Sequence, residues 1–405
     1  MWQYEKVPEG WCIDKIGNYA TVITDYVANG SFASLAENVS YLDKPDYAVL
    51  IRLTDYNNGF NGGFVYIDQH AYEFLAKSKL YGEEIIISNV GANVGTVFKC
   101  PKLNARMSLA PNAIMLKTRG NDDFYYYWFC SRNGQHSLKS IVTGSAQPKF
   151  NKTNFRDLLI PIPPIKIQDR IAGFLKTIDE KIQINKEIND NLLQQAQAIF
   201  TQEFLNVEGI PDGWKESSLL GIADYLNGLA MQKFRPKDDE QGLPVLKIKE
   251  LRQGACDASS ELCSPSIKPE YIVHDGDVIF SWSGSLLVDV WCGGTCGLNQ
   301  HLFKVTSDTY DKWFYYAWTN HHLQKFVAIA ADMATTMGHI KREELSKAVV
   351  LIPSQSDYDR IGGLLAPLYD LVIANRIENR KLASLRDKLL PQLMSGQLDV
   401  SEVDL

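Results

Sequence analysis

An α+β fold built twice, each copy a globular domain running into one long helix, is what the sequence predicts. Three observations predict it. The stretch "IQDRIAGFL" at 167–175 returns as "DYDRIGGLL" at 357–365, an offset of 190 residues. Short apolar runs separated by Gly-rich turns precede each copy, and a long stretch with apolar residues every three or four positions follows each. The echo holds its offset outward: "FYYYW" (124–128) matches "FYYAW" (314–318), Ile162-Pro163 matches Ile352-Pro353, and "INKEINDNL" (184–192) matches "ANRIENRKL" (374–382). Solenoid units run to roughly 20–50 residues, so this repeat is of whole domain-plus-helix units. Farther out the spacing drifts, as it does where loops accept insertions, yet "VPEGW" (7–11) still answers "IPDGW" (210–214) and "YGEEIIIS" (81–88) answers "HDGDVIFS" (274–281). The halves meet near residue 204. A finer division gives a globular domain over 1–163, a helix over 164–204, a second domain over 205–353, and a helix with a C-terminal tail over 354–405.

Within the domains, "YAVLIRL" (47–53), "EEIIIS" (83–88), "NAIMLK" (112–117), "LPVLKIK" (243–249), "GDVIFS" (276–281) and "HLFKV" (301–305) read as strands. "GANVG" (91–95) reads as a hairpin or bulge loop. "DFYYYWFCSRNGQHSLKSI" (123–141) and its counterpart "DKWFYYAWTNHHLQKFVAI" each read as a helix with an aromatic core face.

The long helices carry heptads. With Ile171 at position a, the series runs Ile171, Ile178, Asn185, Leu192, Ile199, and in the second copy Ile361, Leu368, Asn375, Leu382, Leu389. Leu364, Leu371 and Leu385 fill d, opposite Phe174 and Ile188. About 35 residues of helix span roughly 50 Å, and heptads sustained that far predict a coiled coil. A buried Asn weakens an apolar seam but selects one register. If the helices run antiparallel, Asn185 and Asn375 meet near the centre, and the chain acquires a pseudo-two-fold axis. The alternative is that each Asn faces solvent.

The chain is acidic overall, with net charge −7, which argues against a uniformly basic nucleic-acid binder. Residues 99–156 nevertheless carry ten cations against Asp122 and Asp123, a net +8 over 58 residues. That suffices for a local anionic footprint, or marks a solvated face. Seven cysteines, odd in number and unevenly spread, favour reduced thiols and a cytoplasmic setting over a disulfide framework. No run approaches the ~20 apolar residues of a membrane helix, and "MWQYEKVPEG" lacks a signal-peptide core.

Catalytic patterns are scarce. There is no G-x-x-x-x-G-K-[ST] loop, no strand-led G-x-G-x-x-G, no G-x-S-x-G elbow and no Glu-x-Lys of a metal nuclease. Cys256, Cys263, Cys292 and Cys296 have spacings poorly suited to zinc, so no metal and no cofactor is expected. Binding features are better represented. "TGSAQPKFNKTNF" (143–155) is a donor-rich loop in the basic stretch, just before the domain's last strand. Gln and Asn can read adenine edges bidentately, while Lys and Arg reach guanine or phosphate.

Two half-repeats ending "IPIPPIKIQDRIAGFLKTIDEKI" and "LIPSQSDYDRIGGLL", together with "GSAQPKF" and the terminal "KLLPQLMSGQLDV", resemble the specificity subunit of type I restriction-modification systems. The resemblance covers essentially the whole chain. It implies a non-catalytic DNA-binding subunit whose two target-recognition domains each read one half of a split duplex site. It also implies helices that space the domains and dock two methyltransferase subunits, with a separate motor-nuclease subunit completing the enzyme. The contact residues expected on this reading are Arg52, Asn89, Asn93, Lys99, Arg106, Gln147, Lys149 and Lys152 in the first domain. In the second they are Lys247, Lys249, Gln300, His339, Lys341 and Arg342, and Asn185 with Asn375 sets helix register. The second half departs from the pattern: Tyr358 stands where the first has Gln168, and "ATTMGHIKREEL" lacks the Gln147-Pro148 pair, so its base readers are harder to assign. A two-domain coiled-coil scaffold binding protein or glycan is the other reading.

Overall fold

The computed structural model describes residues 8–332, 340–398 and 400; His339 lies outside the described residues. The chain divides into two compact units, Met1–Asp179 with Ser384–Leu405, and Glu180–Ala383. Each mixes helix and sheet.

In the first unit, β1 (Cys12–Lys15) pairs antiparallel with β10 (Leu159–Ile162), closing the domain's first strand onto its last. One antiparallel sheet has the order β2 (Ala20–Asp25), β9 (Ala113–Thr118), β6 (Ile85–Ser88), β7 (Val97–Lys99). Another has the order β4 (Val65–Ile67), β3 (Ala48–Ile51), β8 (Arg106–Leu109), β5 (Lys79–Leu80), in which β3 and β8 run parallel. Every residue of β3 and of β6 is buried. That is why both read as continuous apolar runs rather than alternating ones.

The second unit repeats this plan strand for strand. β11 (Lys215–Ser218) pairs with β20 (Val349–Ile352). The sheets are β12 (Asp224–Asn227), β19 (Leu302–Thr306), β16 (Val278–Ser281), β17 (Leu287–Val290), and β14 (Leu262–Cys263), β13 (Leu243–Leu246), β18 (Cys296–Leu298), β15 (Ile272–Val273). Again one central pair, β13 with β18, is parallel. Each strand of the first unit therefore has its counterpart ten strands later, and the sequence repeat is a repeat of topology.

The aromatic helices form the cores. Asp122–Cys130 buries Phe124, Tyr125, Tyr127, Trp128 and Phe129. The single helix expected over 123–141 is broken at Ser131, whose hydroxyl accepts the Gly134 N–H and starts a second helix, Arg132–Ser140. A Cβ on Gly134 would lie 2.1 Å from the Trp128 carbonyl oxygen, so only glycine lets the chain pass there. The second repeat has neither Ser nor Gly at this place and keeps one helix, Lys312–Asp332.

The long helices run Ile165–Phe200 and Gln355–Met394. Their buried faces differ from the expected seam. Leu364, Leu371 and Leu385 are 46%, 46% and 45% exposed, and Ile188 is 40% exposed. The buried companions lie four residues after the a series rather than three: Leu175, Asn189 and Ala196 in the first helix, Leu365, Val372 and Leu393 in the second. Both phases are apolar enough in the second helix to be confused, and the row at 364, 371 and 385 is the more leucine-rich.

Each unit's core takes in one end of both long helices. In the first, Ile171, Ala172 and Leu175 pack with Leu393, Met394, Val400 and Trp128. In the second, Ala196, Phe200 and Phe204 pack with Phe314, Trp318, Ile361 and Leu365.

Candidate nucleic-acid interface

The β6–β7 connection turns through Gly91 (φ 100°) and Gly95 (φ 92°), conformations that favour glycine, and the Gly95 N–H returns to the Ser88 carbonyl at 2.8 Å. This is the expected hairpin loop. The donor-rich loop at 143–149 is closed by reciprocal backbone bonds between Thr143 and Lys149, at 2.8 and 2.9 Å. Three bonds then join the two loops. The Gly91 N–H donates to the Pro148 carbonyl (2.9 Å), the Phe150 N–H to the Asn89 carbonyl (3.0 Å), and Asn89 Nδ2 to the Phe150 carbonyl (3.1 Å). Gln135 Nε2 adds a bond to the Gly95 carbonyl at 2.9 Å, tying in the helix Arg132–Ser140.

This edge brings Asn93, Gln147 and Lys149 together, all exposed, with no side-chain hydrogen bond or ion pair to another described residue. Asn89 belongs to the frame instead. Its amide is committed to Phe150, and its Oδ1 is buried without a partner.

Other expected contact residues are held by acids. Lys152 Nζ bonds Asp25 at 2.7 Å. Lys99 pairs with Asp123, and with Glu83 at 3.6 Å. Arg52 caps a short helix, Leu53–Asn57, and its guanidinium meets the buried Asp55 at 2.6 Å, which raises the Arg52 pKa. Burial pushes the Asp123 carboxyl up, but hydrogen bonds and charge from Lys99 and Lys176 outweigh it and hold the group below its ordinary value. Arg106 lies over the Tyr47 ring at 4.4 Å. The net +8 of residues 99–156 is thus partly offset in space by three acids from outside the stretch, Asp25, Glu83 and Glu84, the last two also meeting Lys102 and Lys117. Arg119, Arg132, Lys139 and Lys149 are exposed and carry no ion pair among the described residues. Arg132 and Lys139 were not singled out from sequence, because only pairing separates them from their neighbours.

In the second unit one bond of this frame recurs among the described residues. The Ile340 N–H donates to the Trp282 carbonyl at 3.0 Å, as Phe150 does to Asn89. Arg342 reaches the Tyr225 carbonyl at 3.3 Å, as Arg156 reaches Ile23 at 3.3 Å, so Arg342 braces the fold. Lys247 caps the helix Ile248–Gln253 and pairs with Glu261 at 2.5 Å, whose pKa that bond lowers. Lys249 bonds Ser259 at 2.7 Å and Asp257 at 3.3 Å. The Asp257 carboxyl is held down first by the Ser259 hydroxyl and N–H, then by Gln253 and Lys249. Gln300 Nε2 lies 3.2 Å from His301 Nε2, and Lys341 is exposed without a side-chain partner among the described residues. No hydrogen bond or ion pair among the described residues links Lys247 and Lys249 to Gln300 or Lys341.

On the long helices, Asn185 and Asn375 are 1% and 9% exposed, but they do not meet. Asn185 Nδ2 donates to Glu378 (2.6 Å) and Asn379 (2.8 Å), Asn375 Nδ2 donates to Asn189 (2.9 Å), and Asn379 Nδ2 reaches the Ile182 carbonyl (3.2 Å). Asn189 and Asn379 were missed because the seam was phased three residues ahead instead of four.

The four cysteines considered for zinc are free thiols; Cys263, Cys292 and Cys296 are buried and Cys256 is half-buried. No group of described residues could hold a metal ion, and no helix among them is long and apolar enough to cross a membrane.

The family model described as the type I restriction modification DNA specificity domain matches residues 12–194. The MjaIX specificity subunit of a type I restriction enzyme from Methanocaldococcus jannaschii is 24% identical over 69% of this chain and 70% of its own length. The EcoKI specificity subunit of Escherichia coli is 24% identical over 97% of this chain and 90% of its own. Among solved structures, the S subunit of a type I restriction-modification system from M. genitalium shares the fold, with a TM-score of 0.57 and 14% identity over 97% of this chain and 99% of that one. The first repeat thus carries the type I restriction modification DNA specificity domain, and over nearly its whole length the chain is similar to specificity subunits of type I restriction enzymes.

Proposed function

We propose that the chain selects a bipartite site on double-stranded DNA, with residues 1–163 and 205–353 as target-recognition domains. The observation that carries this is the braced edge bearing Asn93, Gln147 and Lys149. Two loops locked to each other by backbone bonds present amide and ammonium groups that no other described residue uses. Amides pair with base edges and ammoniums with phosphates. Arg132 and Lys139, on the helix tied to this edge, extend the phosphate-binding surface. In the second domain Lys341 has no side-chain partner among the described residues, while Lys247 and Lys249 must leave acidic partners to reach DNA.

The long helices form an antiparallel coiled coil. In the second unit, contacts run from 182 and 185 against 378–379 to 189 against 375, so the partner number falls as the position rises. A pseudo-two-fold axis would relate the repeats. The exposed Ile184, Ile188, Leu364 and Leu371 offer apolar surface for methyltransferase subunits, two per chain on this symmetry. Catalysis belongs to those subunits and to a motor-nuclease subunit, in the cytoplasm. The chain itself specifies. Purified free of partners it should show no nuclease, methyltransferase or ATPase activity.

Methylome sequencing of cells expressing this chain with its methyltransferase tests the proposal. A split adenine motif is expected, and an unmethylated genome alongside assembled enzyme would refute it. Exchanging residues 1–160 for another recognition domain should change one half of that motif and leave the other.

Single substitutions separate the roles on the edge. Gln147→Ala should relax preference at one base pair, since a bidentate amide is worth about 1–3 kcal/mol of discrimination. Lys149→Ala should weaken all duplexes alike and flatten the salt dependence of binding, because it removes one phosphate contact. Binding titrations on cognate and scrambled duplexes read both. Equal losses on the two from Gln147→Ala would remove that residue from the reading surface.

A further inference from the structure

A third loop reaches the braced edge. The turn between β8 and β9, residues 110–112, is fixed at both ends. The Ala110 N–H donates to the Ile51 carbonyl at 3.1 Å, and the Asn112 carbonyl accepts the Asn89 N–H at 3.0 Å. Asn89 is also the residue whose carbonyl takes the Phe150 N–H, and its neighbour Val90 bridges to Lys149. Strands bonded to each other sit about 4.8 Å apart. Two such steps put Asn112 within roughly 10 Å of Phe150, a distance of about three base pairs of duplex at ~3.4 Å each. One half-site can therefore meet both.

Asn112 is exposed, and its amide has no hydrogen bond to another described residue. Two clefts of about 500 and 410 Å³ meet at it, sharing Tyr41, Val90, Pro111 and Ala113 as their other walls. An amide between apolar walls suits an A·T pair. Adenine offers N7 as acceptor and the N6 amine as donor, and thymine carries the one methyl group in the major groove. Asp25, on the wall of the larger cleft, is already held by Lys152. The backbone gives a second reason for asparagine, since φ is 69° and Gly, Asn and Asp tolerate that region best. The other repeat separates the two reasons. Ala113 faces Ser88 as Leu302 faces Ser281, so His301 stands for Asn112 and Gln300 for Pro111. Asn112 has a positive φ and His301 does not, yet polar side chains occupy both turns. His301 Nδ1 is buried there without a partner among the described residues.

We propose that this turn is a third reading loop of the first domain and that Asn112 is a specificity-determining residue, pairing with an adenine edge in the major groove. Its Nδ2 donates to N7 and its Oδ1 accepts from the N6 amine. The inference rests on the DNA-reading role proposed above and adds to it a residue outside the Gln147 loop. Because both ends of the turn are tied down, little ordering is lost when it binds.

Asn112→Gly tests this, because glycine removes the amide and is at home at φ 69°. The full chain, assembled with its methyltransferase subunits, is titrated with duplexes carrying the methylated motif. In the half-site assigned to residues 1–163, each adenine that is not itself methylated is replaced in turn by 7-deazaadenine, which lacks the N7 acceptor. At one position the wild type should lose affinity by about five- to a hundred-fold. Asn112→Gly should be insensitive at that position, keep its response at the position read by Gln147, and melt with the wild type. Asn112→Asp, isosteric and tolerant of the same backbone, lacks the donor to N7 and should show the same insensitivity. Variants that respond to every analogue as the wild type does would overturn the third loop and leave the DNA-reading role standing. So would variants that weaken cognate and scrambled duplexes alike, or a half-site with no such adenine on either strand. A wild-type enzyme with no preference for its motif over scrambled duplex would sink both.

Discussion

Phe200→Ala should destabilise the second unit by about 3–5 kcal/mol, the cost of truncating a fully buried aromatic. Phe200 is 2% exposed and sits among Phe204 at 5.0 Å, Trp318 at 5.1 Å and His321 at 5.6 Å. It belongs to the helix that follows the first globular domain, yet its ring fills the core of the second. The cavity cannot collapse easily, because its walls are large rings held by the aromatic helix Lys312–Asp332, the long helix Gln355–Met394 and the sheet. The measurement is urea unfolding followed by hydrogen exchange at β16 and β19. Protection there should fall by several kcal/mol while β6 and β9, in the other unit, keep theirs. A loss below about 1 kcal/mol at β16 would mean that the helix end is an accessory and not part of that core.

That dependence was not legible in the sequence, although the elements were. The repeat announced two like domains because an offset of 190 residues survives from "FYYYW" to "INKEINDNL", and buried strands such as β3 and β6 are continuous apolar runs. Periodicity identifies a helix but not which neighbour its ends serve. It also failed to fix the seam. Leu364, Leu371 and Leu385 form a better apolar row than Leu365, Val372 and Asn379, yet packing buries the latter set more deeply and leaves the leucines half-exposed. Charge counting failed for a related reason. Lys152 and Lys117 pair with Asp25 and Glu84, residues far away in sequence, and no window sees them together. Gln147 and Lys149 were accessible to reading because Gly144 and Pro148 mark a turn. Asn89 resembles them in composition, but its backbone bonds to Phe150 make it a brace.

Asn375→Ala should cost about 1–3 kcal/mol, because it leaves the Asn189 carbonyl oxygen buried without its donor. The two residues are 9% and 6% exposed, and their 2.9 Å bond is the link between them. Replacing both by leucine removes donor and acceptor together. That change should be neutral or stabilising, as when a buried polar pair yields to apolar residues of similar shape. Thermal melts should therefore place the single variant below the wild type and the double variant level with it or above. Extending the change to Asn185 and Asn379 removes the remaining amides of the seam, and with them what distinguishes one heptad register from the next. A slip of one heptad moves a helix by about 10 Å along its axis, or about three base pairs of duplex at ~3.4 Å each. The four-leucine variant should melt no lower than the wild type and methylate sites whose spacers differ by up to about three base pairs. If it keeps a single spacer length, the asparagines do not set the register, and the distance between half-sites is fixed elsewhere in the assembly.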